Sequence, residues 1–150
     1  MTLSDVLDGN IISIGMSVDN KEDALRKMAG MLFQHQYIND VEEFVKDVYV
    51  REAEGITGIG QGIAIPHGKS KSAKNLGIAI ATLAKPIEWE TLDGEAVDTI
   101  FLFCVSSDSN FERNHMLLLS KVAARLADEE LLEVIRKASS SEEMIRLLSE

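Results

Sequence analysis

Residues 76–83 (LGIAIATL) and 99–105 (TIFLFCV) are almost wholly apolar, and a turn sequence, LDG at 92–94, lies between them. Apolar runs of this length are typical of strands that are buried on both faces of a sheet. A further short strand is predicted at residues 10–14 (NIISI), near the start of the chain. Together these segments predict a sheet that lies inside the protein.

Helices are predicted before and after these strands. Apolar residues at helical spacing predict one helix capped by Asn20 and a second over about residues 41–53. The last third of the chain predicts a helix over about 110–127 and two shorter helices capped by Asp128 and Ser140. The fold class is therefore α/β or α+β, with a mixed sheet in a single domain.

Composition and charge narrow the classes of function. The chain has 150 residues and a formal net charge of −10, so one domain with a sizeable core is expected. The negative charge argues against nucleic-acid binding and against docking on an anionic membrane, because both favour Lys and Arg. No stretch approaches the roughly 18 apolar residues of a membrane-spanning helix.

The cysteine count and the N-terminal sequence indicate the cellular compartment in which the protein is expected. The single cysteine excludes an internal disulfide, which fits a reducing cytoplasm. The first ten residues, MTLSDVLDGN, have neither the basic flank nor the apolar core of a secretory signal. We expect a cytoplasmic protein that does not insert into a membrane.

The segment from Gly58 to Ser70 (GIGQGIAIPHGKS) contains the strongest chemical signal. A short apolar strand leads into a turn at His67, Pro66 restricts the backbone before it, and Gly68 leaves space after it. Histidine has an ordinary pKa of about 6.5, so a neutral imidazole can accept a phosphoryl group and pass it on. The same pattern also suits a simple bend with His67 as a turn residue. The glycine spacing matches neither a Walker loop nor a dinucleotide-binding loop.

Arg51 and His115 are candidate partners of a phosphorylated histidine. Arginine binds two phosphoryl oxygens with its planar fork, and a second histidine can hydrogen-bond the group or orient the first. The alternative for Arg51 is a solvated cation at a helix C-terminus, and that for His115 is a half-buried helix residue. Lys69, Lys71 and Lys74 form either a patch that steers a phosphorylated partner or a solvated loop.

Two further residues are expected to be structural. Cys104 lies inside a predicted apolar strand and is expected in the core rather than as a nucleophile. Trp89 is expected to anchor a loop rather than bind a ligand.

With these segments in order, the sequence resembles the enzyme IIA domain of the bacterial sugar phosphotransferase system, of the fructose/mannitol type. That family also includes nitrogen-related regulatory IIA proteins. The resemblance covers essentially residues 1–150 and rests on these motifs: Arg51-Glu52-Ala53, Thr57-Gly58-Ile59-Gly60-x-Gly62-Ile63-Ala64-Ile65-Pro66-His67-Gly68, Pro86-Ile87-x-Trp89-x-x-Leu92-Asp93-Gly94, the apolar strand at 100–105, and Asn114-His115-x-x-x-Leu119.

The resemblance implies a role for each candidate residue. His67 corresponds to the histidine that takes a phosphoryl group from the phosphocarrier HPr and gives it to a cysteine of enzyme IIB. Arg51 corresponds to the arginine that neutralises this group, and His115 to the second histidine of the site. Some mannitol-type members have a carboxylate where this chain has Gln61, so that role does not transfer.

The resemblance also implies a fold and a set of partners. The expected fold is a mixed sheet of about five strands between helices. HPr and enzyme IIB are the expected direct partners, and the membrane subunit IIC an indirect one. No bound cofactor or metal is expected. Because two proteins must reach His67, we expect a shallow groove with an apolar rim that includes Ile59, Val105 and Phe111.

Three other functions remain open at this point. The first is a regulatory protein of the same family, whose phosphorylation state controls its binding to other proteins. The second is a metal-binding or ligand-binding module that uses His67 and His115, although no carboxylate or cysteine stands at ligand spacing around His67. The third is an interaction domain in which the glycine-rich turn is purely structural.

Overall fold

The computed structural model describes residues 3–107 and 112–149, and for residues 112–115 and 119 it describes the backbone only. Within this part of the chain, one open mixed sheet has six strands, one more than the resemblance implied. The strands are β1 (Ile12–Met16), β2 (Gly58–Gly60), β3 (Ile63–Ala64), β4 (His67–Ser70), β5 (Gly77–Ile87) and β6 (Val97–Ser106). The α-helices are α1 (Lys21–Gln34), α2 (Val41–Glu52), α3 (Glu112–Leu126), α4 (Glu129–Arg136) and α5 (Ser141–Ser149).

The two apolar stretches form the centre of the sheet. The strand order is β1-β5-β6-β3-β2, and β4 pairs with β6 on the same side as β3. Strands β5 and β6 run antiparallel, whereas β3 and β4 both run parallel to β6. Between β3 and β4 the Pro66 carbonyl accepts a hydrogen bond from the Phe103 N–H at 2.9 Å, so the chain stays beside β6.

Helices cover both faces of the sheet, as predicted. Alternate side chains of β5 point to opposite faces of the sheet, and each face has its own core. Ala79 and Ala81 pack into the core beneath α1 and α2. Ile78 and Ile80 pack into the second core beneath α3, α4 and α5. Residues 77–82 of β5 are buried on both faces, which explains why this part of the strand is almost wholly apolar, whereas residues 84–86 are exposed.

The predicted helix caps are confirmed. The side chain of Asn20 accepts a hydrogen bond from the Asp23 N–H at 2.8 Å, and the Ser140 hydroxyl accepts one from the Glu143 N–H at 3.1 Å. Asp128 caps α4 in the same way, through the N–H groups of Glu130 and Leu131. Each cap satisfies amides that the helix itself leaves without partners.

Two strand boundaries differ from the prediction. Residues 9–11 form a 3₁₀ turn before β1, because the Asp8 side chain accepts the Asn10 N–H and caps that turn. Strand β5 continues through Pro86 to Ile87, where its pairing with β6 shifts in register. A proline is tolerated in a strand at such an irregularity, because no ladder hydrogen bond is needed there.

The approach of α2 to β4 depends on Gly68. A Cβ atom at this position would overlap three ring atoms of Phe44, which is fully buried in α2. The missing side chain therefore lets the ring rest on the strand backbone. This contact sets the distance between the helix and the strand that follows Pro66.

No helix in the described part of the chain has the length and apolar character that crossing a membrane requires.

We predict that Gly68→Ala lowers the free energy of unfolding by about 1–3 kcal/mol, because the methyl group overpacks the core against Phe44. Chemical denaturation monitored by circular dichroism measures the change. Gly30→Ala is the matched control: Gly30 lies in α1 with open space at its Cβ position, so this change is expected to stabilise the protein by about 0.5–1 kcal/mol. Unchanged stability in Gly68→Ala would contradict the tight contact, and Phe44→Leu should restore part of the loss.

Candidate functional site

A cleft of about 410 Å³ opens at the edge of the sheet beside β4. It brings together His67 and Arg51, two of the three residues that the sequence predicted to share a site. Its lining consists of Asp47, Val50, Arg51, Glu54, His67, Lys69 and Met116. Residues of α2 and the start of α3 therefore face the histidine from two sides.

His67 is the first residue of β4, and not a turn residue as the sequence suggested. Its side chain is only 8% exposed and its ring stacks on Phe103, with 5.2 Å between centroids and 23° between planes. Phe103 is also its register partner on β6, so the strand pairing and the ring contact orient the imidazole together. The small exposed part of His67 belongs to the cleft.

Arg51 lies in the last turn of α2 and is partly exposed. Its Nη1 atom donates a hydrogen bond to the Gly55 carbonyl at 3.2 Å. A cation at this position also suits the negative end of the helix dipole, so the structural and the functional interpretations of Arg51 are compatible. The remaining guanidinium donors give the arginine the capacity to bind an anion in the cleft.

His115 belongs to α3, where the structure describes its backbone but not its side chain. The next residue, Met116, lines the cleft. The helix therefore brings the backbone at position 115 close to the site.

Charged residues of both signs surround His67. Lys69 follows two positions later on β4 and lines the cleft, whereas Lys71 and Lys74 are exposed beyond the strand. Asp47 and Glu54, which the sequence analysis missed, also line the cleft. Asp47 precedes Arg51 by four residues in α2, and residues four apart share a helix face. This spacing is the signal that would have found Asp47.

The apolar rim differs from the expected one. Val50 and Met116 line the cleft and are 56% and 69% exposed. Val105 is a core residue of β6 and not part of the rim, because its side chain is buried by the sheet packing. Ile59 is exposed on β2, away from the lining of this cleft, and Phe111 lies outside the described residues.

The glycine-rich turn is a hairpin between β2 and β3. Gln61 and Gly62 both have positive φ, at 56° and 81°, as a tight two-residue hairpin turn requires. The Gln61 N–H donates to the Asp93 carboxylate at 2.9 Å, and this contact together with the Glu95 N–H lowers the pKa of Asp93. The Gln61 amide is therefore committed to Asp93 rather than to the cleft at His67.

Trp89 anchors a loop, as expected. It is buried, and its indole N–H donates to the Thr57 hydroxyl at 3.3 Å. This bond ties the loop after β5 to the chain that enters β2.

Cys104 is fully buried in β6, and burial raises the pKa of its thiol to about 12. The thiol is therefore protonated at neutral pH and is not a nucleophile in the folded protein. Among the described side chains, no group of three His, Cys, Asp or Glu residues is arranged to hold a metal ion.

Comparisons with known proteins identify relatives over the whole chain. The sequence profile of the family described as "Phosphoenolpyruvate-dependent sugar phosphotransferase system, EIIA 2" matches residues 5–150. An Escherichia coli protein, the "PTS system 2-O-alpha-mannosyl-D-glycerate-specific EIIABC component", is 32% identical over 100% of this chain. This chain spans only 23% of that relative. The "Nitrogen regulatory protein" of Klebsiella oxytoca is also 32% identical over 100% of the chain, which covers 91% of that protein.

Solved structures share the fold. The nitrogen regulatory protein IIA-Ntr from Neisseria meningitidis superposes with a TM-score of 0.87 at 27% identity, covering 97% of this chain and 98% of that one. The mannitol enzyme IIA of Escherichia coli, solved in complex with phosphorylated enzyme IIB, superposes with a TM-score of 0.78 at 21% identity, covering 95% and 96%.

We predict that the Cys104 thiol of the folded protein resists alkylation by iodoacetamide at pH 8, because burial keeps it protonated and inaccessible. Mass spectrometry after timed labelling measures the modified fraction. The same protein in urea serves as the control and is expected to react fully. Labelling at equal rates in both states would contradict a buried, protonated thiol.

Proposed function

This chain belongs to the EIIA 2 family of the phosphoenolpyruvate-dependent sugar phosphotransferase system, and we propose that it carries a phosphoryl group on His67. In this proposal residues 1–150 act as one EIIA domain. His67 accepts the group from HPr and passes it to a cysteine of an enzyme IIB, for uptake of a sugar of the fructose or mannitol type. The protein is a phosphotransferase component that needs no bound cofactor.

The observation that carries the proposal is the shared cleft of His67 and Arg51. The histidine supplies a nucleophilic nitrogen on a rigid strand, and the arginine supplies a cation that binds phosphoryl oxygens. Lys69 adds a second positive charge to the lining. Helix and strand thus bring a nucleophile and a phosphoryl-binding group to one surface.

Each transfer is a displacement at phosphorus. An imidazole nitrogen of His67 forms a new P–N bond while the P–N bond of the donor phosphohistidine breaks and its electron pair returns to the donor ring. The IIB thiolate then forms a P–S bond as the bond to His67 breaks. Such steps depend on in-line positioning and on stabilising the equatorial oxygens, which is the role we give to Arg51. We give His115 a supporting role beside the phosphoryl group, consistent with the position of Met116.

The partners in this proposal are proteins. The mannosylglycerate relative is an EIIABC component, and the mannitol enzyme IIA was solved in complex with phosphorylated IIB. By analogy, this domain meets HPr and an enzyme IIB in the cytoplasm, and meets the membrane subunit IIC only through IIB. Exposed Val50 and Met116 give these partners an apolar contact around the cleft.

A regulatory role is the second candidate, favoured by the nitrogen regulatory relative of nearly the same length. In that case His67 is still phosphorylated, but the phosphorylation state controls binding to other proteins. Purified HPr paralogues of the sugar and nitrogen types, offered as donors in parallel, separate the two candidates. Faster transfer from the sugar-type donor, and discharge by a IIB cysteine, favours the transport role.

We predict that His67→Ala abolishes phosphorylation while the fold survives, because the substitution removes the attacking nitrogen. The assay supplies phosphoenolpyruvate, enzyme I and HPr, and measures acid-labile label on the protein. His35→Ala is the control, since His35 is an exposed histidine at the end of α1 and should label like wild type. Full label on His67→Ala would overturn the proposed function.

We predict that Arg51→Ala slows phosphoryl transfer by about 10³-fold or more, the size of effect that a transition-state arginine has elsewhere. Rapid-quench measurements of phosphohistidine formation and decay test this. Arg146→Ala is the matched control, because Arg146 also lies in the last turn of a helix, α5, away from the cleft. Equal rates in the two variants would reduce Arg51 to a surface cation.

A further inference from the structure

We propose that Glu52 and Thr57 are positioning residues for Arg51, acting from behind the cleft through a buried hydrogen-bond cluster. The inference rests on the proposed function and adds two residues to it. Neither residue lines the cleft that contains His67. They act on the arginine through the backbone that joins α2 to β2.

The cluster is centred on the Thr57 hydroxyl. This group donates to the Glu52 carboxylate, with 2.7 Å to Oε1, and accepts the indole N–H of Trp89 at 3.3 Å. Thr57 is 2% exposed. The hydroxyl thus uses both its donor and its acceptor capacity inside the protein, which favours one orientation.

Lys21 also forms an ion pair with the Glu52 carboxylate. Its Nζ atom lies 3.5 Å from Glu52 Oε1 and 3.0 Å from Glu90 Oε1, and 4.8 Å from the centre of the Trp89 ring. The side chains of Lys21 and Glu52 are 16% and 7% exposed. A nearly buried carboxylate with a cation and a hydroxyl as partners has little freedom to move.

The cluster reaches Arg51 through residues 52–57. Glu52 is the last residue of α2 and the direct neighbour of Arg51. Thr57 lies two residues after Gly55, whose carbonyl accepts the Arg51 Nη1 hydrogen bond. Fixing Glu52 to Thr57 therefore closes this short loop and holds the Gly55 carbonyl where it orients the guanidinium.

This placement predicts a specific kinetic effect. A misplacement of about 1 Å at a reacting group costs up to about 100-fold in rate. Because the cluster lies behind the cleft, losing it should lower kcat for phosphoryl transfer and leave KM for the donor HPr unchanged. A merely structural role would lower Tm without this change in kcat.

The test compares three single variants in the phosphoenolpyruvate, enzyme I and HPr assay. Thr57→Val keeps the shape and removes the hydroxyl, and we expect kcat to fall at least about tenfold. Thr57→Ser restores the hydroxyl and should return kcat to within about twofold of wild type. Thr82→Val is the matched control, because it removes a buried threonine hydroxyl that accepts the Gly15 N–H at 2.9 Å between β1 and β5. It should lower Tm but leave kcat unchanged.

A double-mutant cycle with Arg51→Ala identifies the route of the effect. If Thr57 acts through Arg51, then Thr57→Val changes the rate by less than about twofold once Arg51 is already alanine. If Thr57→Val fails to fold, Glu52→Gln replaces it in the same cycle. This inference alone is overturned if Thr57→Val slows the reaction as much in the Arg51→Ala background as in wild type. It is also overturned if Thr57→Val has the same kcat as the control Thr82→Val. Absence of label on wild type would overturn the proposed function as well.

Discussion

The ring of Phe44 occupies the space that a side chain at position 68 would need. This contact lets α2 lie close to β4, and two further turns of the helix bring Arg51 to the cleft that contains His67. Residues seven apart lie on the same face of a helix, so the orientation of α2 that packs Phe44 on β4 also directs the partly exposed Arg51 toward β4. The candidate site therefore depends on an apolar contact that lies outside it.

Phe103 and Arg51, the two neighbours of His67, have different surroundings at the edge of the sheet. Phe103 supports the imidazole from within the core, where strand pairing already fixes its position. Arg51 approaches from a helix end, where its orientation depends on the loop that follows. A strand-held imidazole thus shares a cleft with a cation that is hydrogen-bonded to the Gly55 carbonyl. In our proposal the Thr57 cluster holds the loop that carries this carbonyl.

Much of this arrangement was predictable from the sequence, since the apolar strands and the helix caps are determined by local patterns. His67 and Arg51 were identified by motif and side-chain chemistry. Val50 and Met116 were not, because their presence at the cleft depends on how α2 and α3 meet the sheet. Asp47 was missed although its spacing of four residues from Arg51 indicated it. Val105 was misplaced on the rim because an apolar residue near a strand end looks the same whether it faces the core or solvent. The pairing of Thr57 with Trp89 links segments far apart in the chain, so no local pattern shows it.

Because His67 begins a strand at the edge of the sheet and its ring is packed on Phe103, a phosphoryl group on His67 would be held by the strand and the core behind it. The modification would then add negative charge at one point of the cleft without moving the strand that carries it. A partner that distinguishes the two states must then touch that point directly, and distant faces of the molecule would carry little information about it. Any signal from this protein would be limited to what fits over a single small cleft.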